Sequence, residues 1–151
     1  QDGVRIKGAE DVLIRFAKCC QPVPGDPIVG YISRGRGVVV HTAECPNVQK
    51  SGTSRLLDVS WATEEQKDAF PATAKLICKN RKGVLAEVSN LLLKEDVNIR
   101  SGHFNSDVEG KTELILNVEV SDSAHLYRAL QKLSSSENVY EAVRTGGEKS
   151  G

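Results

Sequence analysis

The chain has no methionine at all, a single tryptophan and only 5% aromatic residues, so no interleaved row of rings is available for stacking on single-stranded bases. Net charge is absent too. Twenty Lys and Arg balance 20 Asp and Glu, which argues against a globally basic nucleic-acid binder and against an acidic tail protein. No apolar run approaches the roughly 18 residues of a membrane span, and no charged start followed by an apolar stretch marks a signal peptide. The expectation is a cytoplasmic protein with no membrane partner. With Gln1 at its start and no methionine, the sequence is expected to be a piece of something longer. What it does contain suffices for a core: 39% hydrophobic and 26% charged residues are ordinary for a globular chain and too apolar for a fully disordered one.

A length of 151 residues fits one ordinary domain or two small ones, and composition favours two. The turn signals Pro24-Gly25, Arg34-Gly35 and Arg36-Gly37, with three of the four cysteines, crowd into the first third. After Trp61 a polar run without an apolar period leads to a second patterned region, which sets a boundary near 61–70. In that region Ala72, Ala74, Leu76 and Cys78 alternate as in a strand, and Asn80-Arg81-Lys82-Gly83 breaks it. Val84, Val88, Leu91 and Leu92 then share a helical face. An extended stretch over 97–106, the turn Asp107-Val108-Glu109-Gly110 and the alternation Leu114, Leu116, Val118, Val120 predict a hairpin. A second helix is expected after an N-cap at Ser121 or Asp122, with Leu126, Tyr127, Leu130 and Leu133 on one side. Val139, Tyr140, Ala142 and Val143 supply a last strand. The order βαββαβ is that of a ferredoxin-like unit, a four-stranded antiparallel sheet with both helices on one face. Cys78 reads as a core residue, and His103 and His125 as ordinary sheet and helix positions.

The first region predicts short strands over 11–16, 28–32, 38–41 and 56–61, a hairpin turn at 33–37, and a helix beginning after His41 with Thr42 as N-cap and ending before Ser51-Gly52. Trp61 anchors the end of its core. About 60 residues make a marginal core, and such units often rely on a metal, a disulfide or a partner. Cys19, Cys20, His41 and Cys45 form a Cys₃His set of the kind that closes a tetrahedral structural zinc site. Adjacent residues on an extended strand point opposite ways, so Cys19 and Cys20 share one ion only if the chain turns there, which Gln21-Pro22 would allow. His41 and Cys45, four apart, are expected on one face of a helical turn. Two other readings stay open: free cysteines serving as small buried hydrophobes, and a thiol or zinc enzyme built on Cys20 and His41.

Two resemblances narrow this. The turn Asn80-Arg81-Lys82-Gly83-Val84-Leu85, the following Ala86-Glu87-Val88 and the strand opening Val97-Asn98-Ile99 resemble an ACT domain, a regulatory module that often binds amino acids between two copies. Residues 15–26, with Cys19-Cys20-Gln21-Pro22, then Ile28-Val29-Gly30-Tyr31, Ser33-Arg34-Gly35-Arg36-Gly37-Val38, Val40-His41 and Cys45-Pro46-Asn47, resemble the conserved-cysteine (zinc-finger or RIS) module of long Rel/SpoT-type stringent-response proteins, in which an ACT domain follows. The resemblance implies an α+β chain: a RIS domain over 1–62, a linker over 63–70, a ferredoxin-like ACT domain over 71–146 and a tail over 147–151. It implies a non-catalytic regulatory fragment of a (p)ppGpp synthetase/hydrolase, zinc on Cys19, Cys20, His41 and Cys45, and RNA contact by Arg34 and Arg36. The expected partners are the ribosome and A-site tRNA, with a homodimer formed through the ACT domain. An alternative it implies is a branched-chain amino-acid sensor at Asn80, Arg81, Gly83, Val84, Leu85, Asn98 and Ile99.

Overall fold

The computed structural model describes residues 6–9, 11–35, 37–50, 55–62, 69–106 and 109–146. In the first region β1 (Ile6–Lys7), β2 (Ile14–Phe16), β3 (Ile28–Ser33) and β4 (Gly37–Thr42) precede a short helix α1 (Pro46–Lys50), β5 (Leu56–Leu57) and β6 (Ser60–Trp61). The β-branched runs of β3 and β4 pair antiparallel, Ser33 opposite Gly37, as their composition favours. β2 joins β4 in parallel and β5 flanks β3, giving the order β2-β4-β3-β5. Val38 and Val40 send their side chains to the core with Ile6, Ala9 and Val59, while His41, the residue after Val40, faces the other side by strand alternation.

Three local expectations change here. The stretch 56–61 splits, because β5 pairs with β3 whereas β6 pairs with β1. The strand expected over 11–16 shrinks to β2. The helix begins at Pro46, not after His41; His41 and Thr42 remain in β4, held opposite Val29 and Ile28. Proline is favoured at a first helical position, where its missing N–H costs nothing. The expected stop at Ser51-Gly52 and the polar run over 63–68 lie outside the described residues.

The second region follows its pattern closely. β7 (Phe70–Lys79), α2 (Val84–Lys94), β8 (Asn98–Ser106), β9 (Lys111–Val120), α3 (Ser123–Ser134) and β10 (Val139–Thr145) form an antiparallel sheet of order β10-β7-β9-β8. Alternate residues of β7 and β9 (Ala72, Ala74, Leu76 and Cys78; Leu114, Leu116, Val118 and Val120) are buried with Val88 and Leu92 of α2 and Leu126, Ala129, Leu130 and Leu133 of α3. At roughly 1.5–3 kcal/mol for each large side chain removed from water, this face outweighs any single polar contact. Asp122 caps α3, its carboxylate accepting from the His125 N–H at 2.8 Å. His125 itself is buried, taking the Ser121 N–H on Nδ1 at 2.9 Å and reaching the Glu95 carbonyl with Nε2 at 2.7 Å, so it ties the two helices together. Tyr127 departs from its expected place: it is 52% exposed. One residue along a helix turns about 100°, which carries it off the stripe that Leu126 and Leu130 define. Of the turn predicted at 107–110, Asp107 and Val108 fall outside the described residues; Gly110 has φ +79° and accepts the Asn80 N–H on its carbonyl.

The two regions meet through an aromatic trio. Phe16 stacks on Trp61 at 5.6 Å, and Phe70 sets its edge against both, an arrangement ring quadrupoles favour. Among the described residues no helix is long and apolar enough to cross a membrane.

Candidate metal centre

Cys19 and Cys20 lie on the loop between β2 and β3, which turns tightly. The Gln21 N–H donates to the Ala17 carbonyl at 3.1 Å and Gln21 itself takes φ +48°, so the two neighbouring thiols no longer point apart. His41 enters from β4, and Cys45 stands immediately before Pro46 at the start of α1. One ligand atom from each of the four falls within 4.8 Å of all the others. Cys19 Sγ is 3.6 Å from His41 Nδ1 and 3.6 Å from Cys45 Sγ, and Cys20 Sγ is 3.7 Å from His41 Nδ1. A tetrahedral ion with bonds of about 2.3 Å to sulfur and about 2.0–2.1 Å to nitrogen spaces its ligand atoms roughly 3.6–3.8 Å apart. The donor set and its spacing therefore fit a tetrahedral ion, and these residues could hold one.

The surroundings shape the donors. Burial pushes the Cys20 thiol up to about 12, although the Thr42 N–H, 3.2 Å from its sulfur, favours the thiolate. Burial also raises Cys45, but N–H groups of Asn47 and Val48 at the start of α1 and the thiols of Cys19 and Cys20 outweigh it, and its net shift is downward. Burial holds His41 below its usual range, as the neutral ring that a metal takes. A nucleophile needs the reverse of what Cys20 has; a bound cation would deprotonate it outright. An open cleft of about 410 Å³ between the two regions, lined by Cys19, Cys20, Cys45, Tyr127 and Arg144, gives an ion its way in.

The other sequence-derived sites are spread apart. Arg34 is exposed at the tip of the β3–β4 hairpin beside Gly35 at φ +68°; Arg36 lies outside the described residues. Gly83 has φ +88° at the head of α2, and a side chain there would meet nothing within 4 Å. Arg81 donates to Asn138 Oδ1 at 3.1 Å, Val84 is buried and Leu85 is half exposed. Asn98, donating to Glu119 Oε1 at 2.9 Å, and Ile99 open β8. Glu119 lies opposite Pro71 at the start of β7, and the Asn80 turn follows the end of β7. At about 3.4 Å per residue the turn and Asn98 are roughly a full strand apart within one chain, so only a second copy could bring them together.

Sequence reasoning missed Asp26 and Arg144. Arg144 NH1 and NH2 grip Asp26 Oδ1 and Oδ2 at 2.9 and 2.8 Å, a forked pair across the two regions. Asp26 stood in a Pro/Gly-rich turn and Arg144 directly after the apolar residues of the last strand, positions that carry no local signal of each other.

Comparison with known proteins agrees with both regions. The RelA/SpoT RIS domain model matches residues 4–62 and the ACT domain model matches residues 66–144. A GTP pyrophosphokinase of Myxococcus xanthus is 36% identical over 144 residues, covering 95% of this chain and 19% of that protein. The bifunctional (p)ppGpp synthase/hydrolase RelA of Mycobacterium tuberculosis is 33% identical, covering 94% and 19%. The crystal structure of the ACT domain from a Chlorobium tepidum GTP pyrophosphokinase aligns at 22% identity with a TM-score of 0.45, over 51% of this chain and 99% of that one. The chain thus spans about a fifth of the length of the curated relatives it matches. It belongs to the RelA/SpoT family, as the RIS domain and ACT domain of that family's C-terminal region.

Proposed function

We propose that this chain is a non-catalytic regulatory region of a (p)ppGpp synthetase/hydrolase, coupling ribosome and uncharged-tRNA sensing, together with self-association, to catalytic domains elsewhere in a longer protein. The observation that carries the reading is the succession of RIS and ACT modules over nearly the whole chain, within about a fifth of its relatives' length. Its domains are drawn at 1–62 and 71–146, with a linker at 63–70 and a tail at 147–151. Zinc is the ion proposed for Cys19, Cys20, His41 and Cys45, because three thiolates and an imidazole at tetrahedral spacing suit it. With four protein ligands such an ion keeps no open position, so its contribution is to fasten the loop to β4 and α1. Arg34 and Arg36 are proposed to meet ribosomal RNA phosphates, the exposed tip and its glycines allowing close approach.

The test is deletion of this region from the longer protein. Ribosome- and tRNA-dependent (p)ppGpp synthesis should be lost while basal synthesis persists; unaltered ribosome dependence would overturn the reading. Changing Arg34 and Arg36 together to Ala should weaken ribosome binding and flatten its salt slope by about one to two on a log–log plot. Unchanged binding at every salt concentration would remove the hairpin from the interface.

A second reading is direct sensing of a branched-chain amino acid at Asn80, Arg81, Gly83, Val84, Leu85, Asn98 and Ile99. The open space in front of Gly83 at the head of α2 favours it, and the separation of that turn from Asn98 makes it depend on a homodimer. Titration calorimetry with valine, isoleucine and leucine, alongside sedimentation, separates the two: a single tight ligand bound only by the dimer supports sensing, and silence assigns the ACT domain to contact.

A further inference from the structure

The four ligands are carried by two different kinds of support. His41 and Cys45 stand on β4 and at the start of α1, inside the RIS framework. Cys19 and Cys20 stand on the loop between β2 and β3, and much of what fastens that loop belongs to the ACT domain. Val23, fully buried, is part of the ACT core cluster with Phe70, Leu76 and Leu126. Arg144 of β10 donates NH2 to the carbonyl of Gln21, the residue directly after Cys20, at 2.9 Å, and grips Asp26 with both nitrogens. Thr73 of β7 donates to Gln21 Oε1 at 2.8 Å. The Ser123 N–H, at the first turn of α3 where no intrahelical carbonyl can take it, donates to the Pro24 carbonyl at 2.8 Å. The Arg144 and Asp26 side chains keep only 15% and 9% of their surface exposed, so the pair is shielded from salt and costly to break.

We propose that Arg144 is a positioning residue for the metal centre, so that metal binding by the RIS domain and docking of the ACT domain reinforce each other. The inference rests on the metal reading above. An ion needs all four ligand atoms at fixed spacing; a loop already fastened to the ACT sheet presents two of them without a further loss of conformational freedom, whereas a released loop must be ordered when the ion binds. The coupling must run both ways: an ion that prefers the docked loop stabilises docking by the same factor.

Two measurements on the 151-residue chain test this. In the first, cobalt(II) and zinc affinities are measured by absorbance and by competition with a chromophoric chelator, for the wild type, Arg144→Gln and Arg100→Gln. Arg100, on exposed β8, pairs with Glu119 of β9, away from the loop, and serves as control. Arg144→Gln should weaken zinc binding about tenfold or more, with the tetrahedral thiolate–cobalt spectrum retained at saturation and Arg100→Gln unchanged. A tight wild type with equal affinity in Arg144→Gln would overturn the coupling alone. A wild type that gives no tetrahedral cobalt spectrum would overturn the metal reading and the coupling with it. The second measurement needs no variant: amide hydrogen exchange of the wild type with zinc and after chelation. The Ser123 amide should exchange about tenfold faster or more without zinc, while amides paired between β7 and β9 hold their rates. Equal Ser123 rates in both states would overturn the proposal.

Discussion

Cys45 and Cys78 are both buried cysteines, 4% and 0% exposed, yet they answer to different physics. Cys45 has two other thiols and an imidazole in its circle, whereas Cys78 faces the apolar side of β7 in the core, its thiol pushed up by burial and by nearby Glu87. Cys45→Ser should weaken zinc binding at least about a hundredfold, beyond what loss of a supporting contact brings, as read by chelator competition. Cys78→Ser should leave zinc binding alone and destabilise the ACT domain by about 1–3 kcal/mol through a buried hydroxyl, as read by urea unfolding. Equal zinc affinities in the two variants would count against a shared site. Glu87 offers a pH-dependent test. Its carboxylate accepts from Ser136 at 2.5 Å and Asn138 at 2.7 Å, and these bonds hold it below its ordinary value of 4.5. A carboxyl with a depressed folded-state pKa adds stability above its unfolded value and loses it as pH falls through the folded one. The stability difference between wild type and Glu87→Gln should therefore be full at pH 7 and shrink steadily below about pH 4.5; a difference that stays constant down to pH 3 would show that the charge contributes nothing.

At the level of elements, the β7–α2 turn depends on one backbone geometry. Gly83 stands at φ +88° with empty space where a side chain would go, so Gly83→Ala introduces strain without collision and should cost about 1–2 kcal/mol in the ACT domain. A cost near zero in chemical denaturation would mean the turn relaxes to another conformation. Much of this element was legible beforehand: the Asn80-Arg81-Lys82-Gly83 break, the alternation of β7 and β9 and the capping of α3 by Asp122 all follow from local pattern, because one face of each is buried. Less legible was α1. Pro46 carries the signal for its start, but a stretch that holds His41 in β4 has no periodicity to say where the strand stops. The split of 56–61 into β5 and β6 had no signal either, since the break is set by which strand lies alongside.

For the whole molecule, Trp61, together with Phe16, packs against both cores. It stacks on Phe16, meets the edge of Phe70 and donates Nε1 to the Asp26 carbonyl at 3.0 Å, and it packs against the RIS cluster and the ACT cluster alike. Trp61→Ala should cost about 3 kcal/mol or more and lower the midpoints of both regions, as resolved by residue-specific exchange across a urea series. A loss confined to the RIS residues would show that the aromatic trio belongs to that domain alone. The marginal size of the RIS core makes this dependence reasonable, because so few apolar side chains cannot offset the ordering of some 60 residues unaided.

The sequence by itself determined the βαββαβ order, the division into two regions and the chemical identity of the ligand set, since period, turn chemistry and residue type are local properties. The Cys₃His grouping was readable as a list, but its closure was not: adjacent cysteines converge only because Gln21 turns left-handed and Ala17 accepts its N–H. The pairing of Asp26 with Arg144, 118 residues apart, was decided by tertiary structure alone. Neither residue has a periodic or turn-specific neighbour that anticipates the other, and only the packing of Val23 into the ACT core brings the loop to the strand that holds it.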